Sequence, residues 1–158
     1  MTSTMPTPGS TNDRPVRPRV AAVLAAACLI LVAFQAALTL GAPLGAAALG
    51  GGNPGRLPDA LRVVTALSTV AWLCAALLVL ARGGVAVIAL PQAVSRAGAW
   101  VLVGLLGLGT LVNFASSSPW ERLGWGPFTL VMFTLGVVLA RSGPASGRPA
   151  PVASRPGQ

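Results

Sequence analysis

The stretch VAAVLAAACLILVAFQAALTL, residues 20–40, contains 21 residues and no charged side chain. Three later stretches share this property, namely residues 63–81, 97–114 and 123–140, which contain 19, 18 and 18 residues. The hydrocarbon core of a bilayer is about 30 Å thick, and a helix that rises about 1.5 Å per residue crosses it with about 20 apolar residues. Each of the four stretches therefore predicts a transmembrane helix.

The composition of the chain favours a membrane protein over a water-soluble one. Hydrophobic residues make up 54% of the 158 residues and charged residues only 9%, which is far from the balance of a soluble domain. A helix buried in a soluble protein would carry a polar stripe along one side, and the four stretches lack one. We therefore predict an all-α polytopic membrane protein, with four transmembrane helices in one bundle formed by residues 20–140.

The arginines are distributed unevenly between the two sides of the predicted bundle. The larger set is Arg14, Arg17, Arg19, Arg82, Arg96, Arg141, Arg148 and Arg155, and the smaller set is Arg56, Arg62 and Arg122. Because short cytoplasmic loops are enriched in arginine and lysine, both termini are predicted to be cytoplasmic, with outer loops at residues 41–62 and 115–122. Abundant Ala, Gly and Arg without lysine are typical of a GC-rich bacterial genome, so the expected location is a bacterial plasma membrane.

Residues 1–19 and 141–158 are predicted to be disordered, basic, cytoplasmic tails. Both are rich in proline and small polar residues, and such segments bury too little apolar surface to offset the entropy of ordering. Nucleic acid is excluded as a partner, because the arginines are scattered singly rather than gathered on one face. The predicted partners are the lipid bilayer and, as an open alternative, another membrane protein or a second copy of this chain.

Two carboxylates lie in the outer loops, and each has a structural explanation. The motif SPWE, residues 118–121, has the pattern of a capping box, with Ser118 as N-cap and Glu121 three residues later. Asp59 stands at the start of a predicted helix, where the helix dipole favours an acid, and Arg62 lies within reach of an ion pair. The alternative is that Asp59 and Glu121 converge as a general acid/base pair. Capping is the favoured interpretation.

The chain offers no catalytic, cofactor or metal motif. It has no histidine and only three carboxylates, which are too few ligands for a metal site. Residues 41–55 are rich in Gly and Pro, but no strand precedes them and they contain no lysine, so they are not a phosphate-binding loop. They are expected to form a packed cap over the mouth of the bundle. Trp120 and Trp125 flank the start of the fourth helix, as tryptophans at a membrane interface do.

Uncharged polar side chains concentrate in the outer half of the predicted bundle. Gln35 and Thr39 lie four residues apart on the first helix, Thr65 and Thr69 lie four apart on the second, and Asn113 lies near the end of the third. Because polar side chains need hydrogen-bond partners in lipid, these faces should turn inward. Two interpretations remain open: hydrogen bonds that hold the helices together, or a small polar pocket beneath the Gly/Pro-rich loop.

The two outer loops, GAPLGAAALGGGNPGRLPDALR (residues 41–62) and NFASSSPWERLGWGP (residues 113–127), carry a family resemblance. Over residues 20–140 the chain resembles an uncharacterised family of small four-span integral membrane proteins of actinobacteria and related bacteria. The residues that carry the resemblance are Gly41, Pro43, Gly45, Gly51, Gly52, Leu57, Pro58, Arg62, Asn113, Ser116, Glu121, Arg122, Trp125 and Pro127. The resemblance implies the fold and a membrane location, supplies no catalytic residues, and suggests that the two outer loops act together with Asn113.

These features favour a non-enzymatic protein that acts by binding or interaction at its extracytoplasmic face. The candidate binding or structural cluster is Gln35, Asp59, Arg62, Thr65, Asn113, Glu121 and Arg122. Two alternatives remain open. One is a small-molecule transporter or permease subunit, which would need to oligomerise because four spans without intramembrane charges make poor coupling machinery. The other is a lipid-acting membrane enzyme that uses Asp59 and Glu121.

Overall fold

The computed structural model describes residues 17–85 and 90–142. This part of the chain contains no β-strand and four long α-helices: α1 (Pro18–Thr39), α2 (Asp59–Arg82), α3 (Gln92–Ala115) and α4 (Gly126–Ala140). All four are long and apolar enough to cross a membrane, α4 together with the π-helical turn Glu121–Trp125 that leads into it. The predicted all-α fold with four transmembrane helices is therefore confirmed. The predicted tails lie outside the described residues, apart from residues 17–19 and 141–142.

Prolines mark the starts of the helices. Pro18 lies in the first turn of α1, and Pro58 and Pro91 directly precede α2 and α3, where the missing N–H costs no intrahelical hydrogen bond. At the start of α4 the N–H of Gly126 donates to the carbonyl of Glu121, five residues back. This wider spacing defines a π-turn, an arrangement found frequently at functional sites.

The helices pack as two antiparallel pairs. α1 packs along α2 and α3 along α4, whereas the contact between α2 and α3 is much smaller. One apolar core joins the pairs, with buried side chains from all four helices: Leu24, Cys28, Val79, Leu106, Met132 and Leu139. We call the end of the bundle where α1 ends and α2 begins the loop end, and the opposite end the arginine end.

The arginine end is closed by tight packing. A Cβ atom built on Gly83 would lie 2.1 Å from the Cβ of Ala21, so only glycine lets the end of α2 approach α1 this closely. The side chain of Arg82 is buried, with 4% of the residue exposed, and its Nη2 donates to the carbonyl oxygens of Ala140 and Ser142 at 3.1 and 2.8 Å. A cation is favourable there because the last carbonyls of a helix carry the negative end of its dipole. Arg82 thus ties α2 to α4.

The helices α2 and α3 diverge from the arginine end toward the loop end. Near the arginine end, a Cβ built on Gly98 would lie 3.0 Å from Cδ2 of Leu78. At Gly109, farther along α3, an added Cβ would meet nothing within 4 Å beyond its own helix backbone. This divergence leaves space between the helices beneath the first loop.

Candidate functional site

The first loop, which connects α1 to α2, folds into two 3-10 turns, Gly45–Ala47 and Leu49–Gly51. Leu49, Gly50 and Gly51 have positive φ angles of 52°, 81° and 73°. The left-handed region costs a non-glycine residue about 1–2 kcal/mol, so the surrounding contacts must hold Leu49 there. Its neighbour Gly50 is hydrogen-bonded to the segment between α3 and α4.

Glu121 fastens the first loop to that segment. The residue is buried, with 7% exposed. Its Oε1 accepts the N–H of Gly50 at 2.9 Å, and its Oε2 accepts the hydroxyl of Ser116. Ser118 adds a second connection, because its Oγ donates to the carbonyl of Ala46 at 2.8 Å. We call these five residues the loop clasp.

The capping box predicted for residues 118–121 is only half formed. The Oγ of Ser118 accepts the N–H of Glu121 at 3.4 Å, as an N-cap does. The carboxylate of Glu121 does not return the bond, because the N–H of Ser118 donates instead to Oγ of Ser116 at 3.0 Å. The N–H that occupies the carboxylate belongs to Gly50, 71 residues away in the sequence. Glu121 therefore forms a tertiary contact with the first loop, rather than the cap within its own helix that the local spacing predicted.

Trp125 packs against the first loop and the bundle, and its place at a membrane interface stays a prediction. Its Nε1 donates to the carbonyl of Ala47 at 2.9 Å. Its ring centroid lies 4.6 Å from that of Phe34 and 5.6 Å from that of Phe128. Trp125 follows Glu121 by four residues, a spacing that places side chains on one helical face. That spacing is the signal that could have placed Trp125 beside the loop clasp.

A cavity of about 330 Å³ lies beneath the first loop, among the four helices. Its wall is mostly apolar and includes the rings of Phe34, Trp72 and Trp125. The large apolar side chains that are both in the wall and exposed are Leu49, Val64, Leu105 and Val112. Because these four come from the first loop, α2 and α3, the cavity opens through the gap between α2 and α3.

Polar groups lie toward the loop end of the cavity. Gln35, Asn113 and Glu121 all line it. The Oε1 atom of Gln35 is buried and accepts no hydrogen bond. The Nδ2 atom of Asn113 donates to Oγ1 of Thr129 over 3.4 Å, near the limit of a hydrogen bond. The cavity therefore combines apolar walls with polar groups that can form further hydrogen bonds.

Both interpretations of the polar residues apply, in part to the same side chains. The hydroxyls of Thr39 and Thr65 lie 2.9 Å apart and join α1 to α2. The hydroxyl of Thr69 donates to the carbonyl of Thr65 within its own helix at 2.8 Å. Thr39 and Thr69 thus serve helix packing and helix structure. Thr65 and Asn113 both join helices and line the cavity, and Gln35 lines the cavity.

The structure brings together four of the seven residues proposed from the sequence. The four that line the cavity are Gln35, Thr65, Asn113 and Glu121. Asp59 has 93% of its side chain exposed and forms an ion pair with Arg62 at 2.8 Å, and Nε of Arg62 donates to the carbonyl of Thr39 at 2.8 Å. Arg122 is exposed and donates through Nε to the carbonyl of Ser116 at 3.2 Å. Asp59 and Glu121 therefore do not converge in the cavity.

Within residues 17–85 and 90–142, no group of three or more His, Cys, Asp or Glu side chains is placed to hold a metal ion. No protein-family model, curated protein or solved structure matches the chain. The resemblance to the actinobacterial family stays a prediction.

Proposed function

We propose that this chain is a non-enzymatic binding protein of the bacterial plasma membrane, which takes a small amphiphilic molecule into the cavity beneath its first loop. The observation that carries the proposal is the polarity of the wall, apolar along the helices and polar toward the loop end. The cavity volume of about 330 Å³ lies at the lower end of the range of about 300–1,000 Å³ for small-molecule pockets. With the orientation that the arginines favour, the site faces the extracytoplasmic side.

The depth of the opening supports entry from the bilayer rather than from water. At about 1.5 Å per residue, Leu105 lies about 15 Å from the end of α3 and Val64 about 8 Å from the start of α2. Both side chains are apolar and exposed, and both fall within a hydrocarbon core about 30 Å thick. A molecule with a hydrocarbon tail would pass between α2 and α3 without leaving the membrane.

The two alternative functions receive less support. A lipid-acting enzyme would need both carboxylates at the site, but Asp59 is exposed outside the cavity and both oxygens of Glu121 already accept hydrogen bonds. A transporter would need a path onward to the arginine end. There the approach of Gly83 to Ala21 and the buried side chain of Arg82 close the described part of the bundle.

Quenching of tryptophan fluorescence tests the binding. In a background that carries Trp100→Phe and Trp120→Phe, the remaining two of the four tryptophans, Trp72 and Trp125, both line the cavity. The protein in lipid nanodiscs is titrated with a brominated octanol, because a bromine atom quenches an indole on contact. We expect quenching that saturates, in contrast to the unsaturable quenching of a tryptophan that merely faces lipid.

A pair of glycine substitutions on α3 provides the matched control. At Gly104 and Gly109 an added Cβ would meet nothing within 4 Å, so both Gly104→Leu and Gly109→Leu are expected to fold. Only Gly109 lines the cavity. Saturable quenching is expected to survive Gly104→Leu and to be lost in Gly109→Leu, because the leucine side chain occupies the cavity. Unsaturable quenching of the same size in both variants and in the parent would refute the proposed function.

A further inference from the structure

We infer that the molecule bound in this cavity carries a positively charged nitrogen, as in an alkylammonium, rather than a neutral hydroxyl or a carboxylate. This inference rests on the proposed binding function and goes further by naming the head group of the ligand. Three properties of the wall carry it: its acidic side chain, its unsatisfied acceptor and its aromatic rings.

Within the part of the chain that the structure describes, the wall contains an acidic side chain and no basic one. Glu121 is the one ionisable side chain among the described residues that line the cavity. Arg62 donates hydrogen bonds to Asp59 and to the carbonyl of Thr39. Arg122 donates to the carbonyl of Ser116. A buried carboxylate is unfavourable unless it is both hydrogen-bonded and paired with a cation. The loop clasp supplies the hydrogen bonds, and a cationic ligand would supply the opposite charge.

The wall contains a buried hydrogen-bond acceptor that is not satisfied. The Oε1 atom of Gln35 is buried without a donor. Two donors of the same wall are engaged within the protein: Nε1 of Trp125 donates to a carbonyl of the first loop, and Nδ2 of Asn113 donates to Thr129 over 3.4 Å. A head group that donates N–H bonds would satisfy the oxygen of Gln35. A carboxylate head group would lack these donors and would be repelled by Glu121.

The aromatic rings favour the same charge. Phe34, Trp72 and Trp125 all line the cavity, and the rings of Phe34 and Trp125 pack with their centroids 4.6 Å apart. The face of an aromatic ring is the negative end of its quadrupole, so it attracts ammonium groups. Leu105 and Leu106, also in the wall, provide an apolar surface for a hydrocarbon tail. Together these groups describe a site for a lipophilic cation.

Three probes with one tail and different head groups test the inference. Brominated octylammonium, octanol and octanoate are titrated into the background that retains Trp72 and Trp125, in zwitterionic nanodiscs. The partitioning of each probe into protein-free nanodiscs is measured and subtracted. We expect the apparent Kd for the ammonium probe to be about tenfold lower than that for the alcohol, because charge pairing and cation–π attraction act on it alone. The octanoate probe should show no saturable quenching.

The variant Glu121→Gln isolates the charge. Glutamine retains a carbonyl oxygen that can accept the N–H of Gly50, so the loop clasp can persist while the charge is removed. We expect the affinity for the ammonium probe to fall more than that for the alcohol, so that the tenfold advantage shrinks to the part that cation–π attraction supplies. A second variant, Trp72→Leu, lies outside the loop clasp and serves if Glu121→Gln fails to fold. It should weaken binding of the ammonium probe more than that of the alcohol, with Trp125 as the reporter.

The outcomes separate this inference from the proposed function. Equal affinity for the ammonium and alcohol probes in the parent, or tighter binding of octanoate, overturns the cationic head group and leaves cavity binding intact. The cationic head group is also overturned if Glu121→Gln, or Trp72→Leu where Glu121→Gln does not fold, weakens the binding of the ammonium and alcohol probes equally. Saturable binding of both probes that persists in Gly109→Leu overturns the proposed function itself.

Discussion

At the residue scale, Glu121 has two tasks that depend on the same carboxylate. Its oxygens hold the N–H of Gly50 and the hydroxyl of Ser116, which fixes the first loop over the bundle. Its charge belongs to the wall of the cavity. The two tasks are separable, because glutamine retains an acceptor without the charge and alanine removes both.

We expect Glu121→Ala to lower the free energy of unfolding by about 1.5–3 kcal/mol, the range for hydrogen bonds to a charged group. Unfolding of the purified protein by titration with a denaturing detergent measures this change. Glu121→Gln is the matched control and should lose less than half as much stability. Stabilities of both variants equal to that of the parent would show that the loop clasp does not hold the first loop in place.

Part of the site could be predicted from single residues, and part could not. Gln35, Asn113 and Glu121 stand out because polar side chains are rare beside long apolar stretches. Trp72 escaped notice because a large apolar side chain on a membrane helix gives no local sign of whether it faces lipid or a cavity. Gly109 could not be predicted either, because the free space beside it depends on the neighbouring helices rather than on the residue itself.

At the element scale, hydropathy predicts that the helices exist but places the starts of the second and third helices too late. The second and third helices begin at Asp59 and Gln92, several residues before the apolar stretches at 63 and 97, because a polar first turn is still helical. The divergence of α2 and α3 could not be predicted in this way. It depends on how closely Gly98 meets Leu78 across the two helices, and a contact between distant residues leaves no mark on local hydropathy.

The close contact between α1 and α2 at the arginine end gives a prediction at this scale. Gly83→Ala should destabilise the protein by about 1–3 kcal/mol through overpacking, because the new Cβ would lie 2.1 Å from that of Ala21. Adding Ala21→Gly removes the opposing Cβ. The double variant should therefore be more stable than the sum of the two single effects implies.

A detergent-induced unfolding series of the parent, both single variants and the double variant measures this coupling. Gly104→Ala is the control for a glycine substitution within a helix, since an added Cβ there meets nothing within 4 Å. Strictly additive effects of Ala21→Gly and Gly83→Ala would contradict the close contact.

At the scale of the whole molecule, the two ends of the bundle differ both in their number of arginines and in how tightly they are packed. The end with more arginines is the closed end, where Arg82 ties α2 to α4. The end with fewer arginines holds the loop clasp and the cavity. The sequence alone could indicate this difference through the arginine count, but the cavity required the packing of four helices against one another.

The orientation of the bundle in the membrane is testable by cysteine labelling. In a background that carries Cys28→Ala and Cys74→Ala, single cysteines are introduced at two exposed positions, Ser117 at the loop end and Gln92 at the arginine end. An impermeant maleimide should label Ser117→Cys in intact bacteria and Gln92→Cys only after the cells are opened, because the arginine-rich side stays in the cytoplasm. The reverse pattern would contradict the predicted orientation.

The pairing of the helices has a consequence for how the protein is made. α1 with α2, and α3 with α4, are consecutive pieces of chain, so each pair can insert into the bilayer as a hairpin before the two hairpins associate. The bonds from Glu121 to Gly50 and from Arg82 to Ala140 join different hairpins, and they form only when the hairpins meet. Since all four helices line the cavity, neither hairpin has a binding site by itself. Ligand binding would thus report that assembly is complete.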